Sequence, residues 1–173
     1  MPKLKKRMVL LFARPGTRAS EVQLSVPDGQ IDWTPELEAR VTDSVTKILD
    51  PAAPPRIKAV GDAFHVAGTI QGEGETQIFL VMDDGAPVSL SVIRRPDEEP
   101  SWAVALGEIV DESARAPKPG TLLWYRLTCG LPQQLPARSV RTLPTLDAEA
   151  ARRDYSYILS QLGACGRTRS RNN

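Results

Sequence analysis

The chain is poor in the residues on which most catalytic sites depend. It has one histidine, two cysteines and only 5% aromatic residues. A Ser-His-Asp or Cys-His site would have to use His65, and two cysteines are too few for a disulfide framework in a domain of this size. His65, Cys129 and Cys165 also lack the paired spacing of zinc ligands. We therefore expect no cofactor, and the sequence favours a protein that is not an enzyme.

Long hydrophobic runs and a strong net charge are also missing. The apolar run MVLLFA ends before Arg14 and is shorter than the core of about 7–15 residues in a secretory signal. No stretch approaches the length of a membrane span, so we predict a cytoplasmic protein that does not contact a membrane. Abundant arginine, alanine and proline favour a bacterial source.

Charge is unevenly distributed although the net charge is only +1. This balance disfavours binding to nucleic acid through bulk electrostatics. Basic residues nevertheless gather at the two ends, where contact with phosphate stays open as an alternative to solvated tails. They are Lys3, Lys5, Lys6, Arg7, Arg167, Arg169 and Arg171.

The most regular stretch, Phe64 to Arg94, predicts three antiparallel strands joined by two glycine turns. For the second turn, a three-residue loop ending at Gly85 pairs Leu80 with Val88 and Ile78 with Leu90, which keeps apolar side chains on one face. For the first turn, a loop over residues 72–74 pairs Phe64 with Met82. This register assigns Phe64 and Val66 to the core.

The same register predicts a second, half-polar face of the meander with Phe79 at its centre. His65, Gln77, Ser89 and Ser91 share that face with Phe79 in this alignment. A solvated face of an antiparallel sheet and a shallow recognition surface both fit the pattern. We retain the five residues as candidates for a ligand or partner surface.

Helices are predicted on both sides of the meander. Thr34 and Pro35 begin one with an apolar stripe at Leu37, Val41, Val45 and Ile48, and Ser101 is a candidate cap for another with Trp102, Leu106, Ile109 and Val110 inward. Residues 121–129 are predicted to form a short helix, with a strand as the alternative. Residues 147–162 are predicted to form a helix whose apolar stripe is Ala151, Tyr155, Ile158 and Leu162.

Together these elements predict an α+β fold. We expect a single domain over residues 1–163 with a mainly antiparallel five-stranded sheet, in the order strand, strand, helix and three-strand meander. Flanking helices and a helical C-terminal half complete it, and residues 164–173 form a basic disordered tail.

Two further groups of residues are candidates for sites. Tyrosine, tryptophan and arginine are enriched at interface hot spots, which points to Trp124, Tyr155, Tyr157 and Arg152 as a partner surface. The predicted register also brings Asp62 opposite Asp84, with Asp83 adjacent, and oxygen ligands of this kind suit magnesium or calcium.

These features favour a non-catalytic binding or assembly module that recognises a macromolecular partner, most simply a protein, or associates with itself. Two alternatives stay open. One is a small-ligand sensor that uses the face of His65 and Phe79. The other is a divalent-metal-dependent enzyme at Asp62, Asp83 and Asp84.

Overall fold

The computed structural model describes residues 7–107 and 114–166. The chain divides into two compact units, Met1–Ala53 and Pro54–Asn173. Helices and antiparallel strands confirm the α+β class, but the strands form two two-stranded sheets and one four-stranded sheet, so the predicted five-stranded sheet is wrong. One domain over residues 1–163 stays a prediction.

The first unit contains an interrupted hairpin. Leu11 and Val22 are exposed, so its strands are not the interior strands of a large sheet. Between its two ladders the amide of Phe12 donates to the carbonyl of Gly29 at 2.7 Å. The strands are β1 (Val9–Leu11), which pairs with β4 (Gln30–Asp32), and β2 (Ala13–Pro15), which pairs with β3 (Val22–Leu24).

Helix α1 (Pro35–Leu49) begins where the sequence predicts. The Thr34 hydroxyl accepts a hydrogen bond from the Leu37 amide at 3.1 Å, and proline occupies the first turn. Every residue of α1 keeps some solvent exposure. The apolar stripe therefore does not form the buried face that its spacing indicates.

The second unit is built on the four-stranded antiparallel sheet. Its strands are β5 (Ile57–Ala67), β6 (Gly74–Met82), β7 (Val88–Arg94) and β8 (Ser101–Ala105), which pair in chain order. One face carries the buried aliphatic side chains that form the core. They include Val60, Ala63, Ile78, Leu80, Val88, Leu90, Val92 and Val104.

Helices supply the other side of this core. They are α2 (Leu122–Gly130), a short 3-10 helix (Ala137–Val140) and α3 (Thr145–Leu162). The stripe predicted for the last helix is confirmed, since Ala151, Tyr155, Ile158 and Leu162 are all buried. Thr121 caps α2 by accepting from the amide of Trp124, which decides residues 121–129 in favour of a helix.

The predicted register of the second turn is confirmed. Leu80 pairs with Val88, and Ile78 pairs with Leu90. Gly85 has a φ of +78°, the left-handed conformation that glycine adopts without steric cost. Turn chemistry and apolar pattern indicated the same pairing here.

The predicted register of the first turn is wrong. Strand β5 ends at Ala67, and Phe64 pairs with Gln77 instead of Met82. The turn uses Gly68 and Gly72: a Cβ at Gly68 would lie 2.4 Å from the Glu73 side chain, and Gly72 has a φ of +90°. Because the shift is an odd number of residues, β5 presents the opposite face to the core.

Ser101 begins a strand, so the helix predicted from Trp102 and Leu106 is wrong. Trp102 pairs with Val92, and Val104 pairs with Leu90. Pairing with the open edge of β7 overrides the helical spacing, as tertiary context often does for short apolar segments. Ile109 and Val110 lie outside the described residues.

The two cysteines are joined in a disulfide. Cys129 near the end of α2 is bonded to Cys165, with their Cα atoms 4.9 Å apart. The bond ties the start of the predicted tail over residues 164–173 to α2. Of the basic residues at the ends of the chain, Arg7 is described and pairs with Asp32 at 3.0 Å; the others lie outside the described residues.

Candidate functional site

The side of the four-stranded sheet opposite the core carries an exposed apolar surface. We call it the Phe79 face. Its large apolar side chains are between 38% and 69% exposed, and alternation along β5, β6 and β7 directs them away from the core. They are Phe64, Val66, Phe79, Val81 and Ile93.

Two phenylalanines lie at the centre of the Phe79 face. The rings of Phe64 and Phe79 meet edge to face, with centroids 5.8 Å apart. Such a pair contributes roughly 0.5–1.5 kcal/mol beyond area burial. Two partly exposed aromatic rings therefore lie in contact at the centre of this face.

Polar residues border the two rings. The side-chain amide of Gln77 donates to the Ser89 hydroxyl at 3.2 Å, and Gln77 pairs with Ser91 on the next strand. Ser89 is only 5% exposed, so the open part of the face lies mainly over β5 and β6. Four of the five residues predicted to share this face, Phe79, Gln77, Ser89 and Ser91, do so.

His65 is the exception and lies on the core side of the sheet. Its Nδ1 is 2.8 Å from the Thr76 hydroxyl. That hydroxyl donates its proton to Asp154 on α3, so Nδ1 must be the donor in the first contact. The shifted register of β5 explains the change of face, and it separates His65 from Phe79.

Asp154 is the centre of a buried polar network between α3 and the sheet. Its carboxylate is fully buried and accepts hydrogen bonds from Thr76 and from Nε of Arg94. The Arg94 guanidinium also lies 5.8 Å from the Tyr157 ring centroid, and the Tyr157 hydroxyl donates to the carbonyl of Pro100. The network connects β5, β6 and β7 to the helix.

Glycine at position 74 leaves the space that the His65 ring occupies. A Cβ at Gly74 would lie 2.9 Å from His65 Cε1, closer than carbon atoms pack. We expect Gly74→Ala to displace the imidazole, break its contact with Thr76 and lower the free energy of unfolding by about 1–3 kcal/mol. Urea denaturation measures this, and Gly107→Ala, where a Cβ meets open space, is the matched control. Equal stability of the two variants would contradict the packing described.

The residues predicted as an aromatic partner surface are mostly in or near the core. Tyr155 is 0% exposed, and Trp124 and Tyr157 pack against the buried cluster. Arg152 alone is exposed. The structure therefore does not bring these four residues together on a surface.

The Tyr155 hydroxyl donates to the carbonyl of Pro132 at 2.6 Å, and burial raises the pKa of this phenol. Above a pH of about 10 the unfolded chain loses the Tyr155 proton while the folded chain keeps it, so stability falls as pH rises. We expect the unfolding free energy to fall between pH 10 and 11 by about 1 kcal/mol more in wild type than in Tyr155→Phe. Parallel pH profiles in urea denaturation would contradict this.

The three aspartates predicted to bind a metal are not brought together. Asp62 and Gly61 lie opposite Phe79 in a bulge of β5, whereas Asp83 and Asp84 belong to the turn after β6. Asp83 accepts from the amide of Arg56 and Asp84 from that of Ala86. Within residues 7–107 and 114–166, no three His, Cys, Asp or Glu side chains form a group that could hold a metal ion.

A cavity of about 650 Å³ lies beside the disulfide. Three hydroxyls in its wall donate to helix carbonyls: Thr128 to Trp124, Ser156 to Arg152 and Ser160 to Tyr157. The wall thus offers few directed polar groups to a ligand. Its lining is Thr128, Gln133, Ser156, Leu159, Ser160, Gly163, Ala164 and Cys165.

Several residues of the site are not recognised from the sequence. Phe64 and Val66 are assigned to the core, and Thr76, Asp154 and Ile93 receive no role. For Phe64 and Val66, one signal was available in the sequence. Gly68 and Gly72 can form the first turn as well as Gly72 and Gly74 can. Placing the turn at Gly68 and Gly72 reverses the face of β5 that is buried.

Comparison of the chain with protein-family models, curated proteins and solved structures finds no match. None of the helices in the described ranges has the length and apolar character needed to cross a membrane. The function is therefore inferred from the residues and geometry described above.

Proposed function

We propose that this chain is a non-catalytic binding or assembly module and that the Phe79 face is its recognition surface. One observation carries the proposal: five large apolar side chains are exposed together on one sheet face, around a contacting pair of aromatic rings. Contiguous apolar patches of a few hundred Å² are often functional in soluble proteins. The patch is carried by a four-stranded sheet whose other face packs against the core.

The interactions of His65 support a structural role for the only histidine. His65 Nδ1 donates a hydrogen bond to the Thr76 hydroxyl, and that hydroxyl donates to the buried carboxylate of Asp154. The geometry does not support a small-ligand site that uses His65 and Phe79 together, because the two residues lie on opposite faces of the sheet. An apolar surface of this shape suits a protein partner better than nucleic acid, which is bound chiefly through cations.

Placing the protein in the bacterial cytoplasm belongs to the same proposal, and one feature opposes it. Disulfides persist mainly in oxidising compartments and are rare in the cytosol. The Cys129–Cys165 bond favours an oxidising environment instead. Alkylation of free thiols in the protein taken directly from its native cell tests whether the bond is formed there.

The proposal predicts that Phe79→Asp abolishes association without unfolding the chain. Phe79→Asp loses the contact with the Phe64 ring, but Phe79 lies outside the core and is 38% exposed, so we expect the chain to stay folded at reduced stability, whereas a charge at this position is costly to bury in an interface. Light scattering and co-purification with native lysate measure association, and thermal unfolding measures stability. Ile70→Asp, at a 61% exposed loop position outside the face, is the matched control.

Wild type and Ile70→Asp are expected to retain the same associated species, whereas Phe79→Asp loses them. A monomeric wild type that retains no partner contradicts the proposal. Equal losses in both variants also contradict it, because the effect would not then belong to the Phe79 face.

A further inference from the structure

We infer that the occupant of the Phe79 face is a second copy of this chain, packed sheet to sheet across a twofold axis. The inference rests on the proposed binding function and specifies its partner. Two antiparallel sheets that pack face to face enclose an apolar layer between their inner faces. The Phe79 face has the alternating pattern that such a layer requires, since the residues of β6 that point away from the core include Phe79 and Val81.

The exposed area suits a dimer of ordinary size. The five apolar side chains expose up to roughly 400 Å², because their exposed fractions run from 38% to 69% and an aromatic side chain presents on the order of 150–250 Å², with valine and isoleucine at or below the lower end. A stable interface buries about 800 Å² per partner, of which a little over half is apolar. The exposed apolar area of the patch is therefore close to the apolar area that one partner buries in an interface of ordinary size.

The two ends of the Phe79 face carry opposite charges, and a third exposed charge, Asp62, lies opposite Phe79 in the bulge of β5. Glu75 lies at one end of the face, paired with Val66 and Ile93. Lys58 lies at the other end, where it and Ala59 oppose Val81 in a bulge of β5. Both side chains are exposed, and strand geometry separates the two ends by about 20 Å.

A twofold axis in the plane between the sheets, perpendicular to the strands, reverses the strand direction of the second copy. It brings Glu75 of one copy toward Lys58 of the other, twice per dimer, and Phe79 toward the centre of the opposite face. Such isologous pairing is the commonest symmetry of soluble oligomers. The net charge of +1 adds little long-range repulsion between copies.

Sedimentation equilibrium on the full chain tests the inference. Wild type and Ile70→Asp are expected to have the mass of two copies, with similar dissociation constants. Phe79→Asp should weaken the dimer at least 10-fold, since a central aromatic anchor is the kind of residue that dominates an interface.

A charge exchange makes the test specific for the proposed orientation. Glu75→Lys and Lys58→Glu should each weaken the dimer about 3- to 10-fold by placing like charges together. The double variant should recover most of the wild-type affinity. Because the two positions are about 20 Å apart within one chain, the recovery can only arise between copies.

The outcomes separate this inference from the proposed function. A wild type that stays monomeric at its highest soluble concentration overturns the second-copy inference. If such a monomer retains another protein through the Phe79 face, the binding proposal stands and only the identity of the partner is wrong. A dimer that persists in Phe79→Asp, or a charge exchange without recovery, overturns the interface or its orientation.

Discussion

Replacing Asp154 with alanine is expected to lower the free energy of unfolding by about 3–5 kcal/mol, because the change leaves Arg94 without its buried partner. Asp154 is fully buried, and Arg94 and Thr76 both donate to its carboxylate. A domain of this size is stabilised by only about 5–15 kcal/mol in total. We therefore expect this single change to remove a large part of the stability.

Chemical denaturation of Asp154→Ala and Asp154→Asn measures the effect. Arg153→Ala is the matched control, since Arg153 Nε lies 3.8 Å from Asp154 and its side chain is mostly exposed. An exposed contact of this kind contributes about 0–1 kcal/mol. If Asp154→Ala is no less stable than Arg153→Ala, the buried network does not join α3 to the sheet as described.

Loss of the disulfide is the second large effect. The bond between Cys129 and Cys165 closes a loop with a sequence separation of 36 residues. Constraining the unfolded chain in this way is worth about 4 kcal/mol in the chain-entropy model. We expect Cys129→Ser combined with Cys165→Ser to destabilise the protein by up to that amount.

Thermal unfolding with and without a dithiol reductant provides the measurement. Reduction should lower the midpoint for wild type to that of the double serine variant, and the variant itself should not respond. If the reductant leaves wild type unchanged while mass spectrometry shows both thiols free, the disulfide does not stabilise the fold.

The parts of the fold that were predicted correctly depend on local chemistry. Thr34 and Thr121 each accept from the backbone amide of the third residue of their helix, and Gly85 adopts the left-handed conformation of its turn. Each of these signals is complete within a few residues of sequence. Tertiary contacts did not have to be known to interpret them.

The first turn of the meander was not predictable in the same way. Three glycines, Gly68, Gly72 and Gly74, compete for the turn positions, and the alternative loops differ by an odd number of residues. Glu73 and His65 decide between them, since their side chains fill the space beside Gly68 and Gly74. That packing appears only once the chain has folded, so local sequence could not settle which face of β5 is buried.

The polar network around Asp154 could not be predicted from the sequence, for a related reason. Thr76 and Asp154 are separated by 78 residues, and Arg94 and Asp154 by 60. Without an alignment of related chains, nothing in the sequence links positions so far apart. The Phe79 face was partly found, because the alternation along β6 and β7 identifies Phe79, Gln77, Ser89 and Ser91 without knowledge of β5.

The most direct test of the Phe79 face as a binding surface is site-specific photo-crosslinking. A benzophenone amino acid is placed at position 79 of the full chain and, as the control, at position 70. We predict that position 79 cross-links in high yield to residues 57–67 or 74–82 of a second copy, identified by mass spectrometry with isotope-labelled chains, and that position 70 does not. Cross-links from position 79 that stay within one chain, or equal yields from the two positions, would contradict the assignment of a second copy as the occupant of this face.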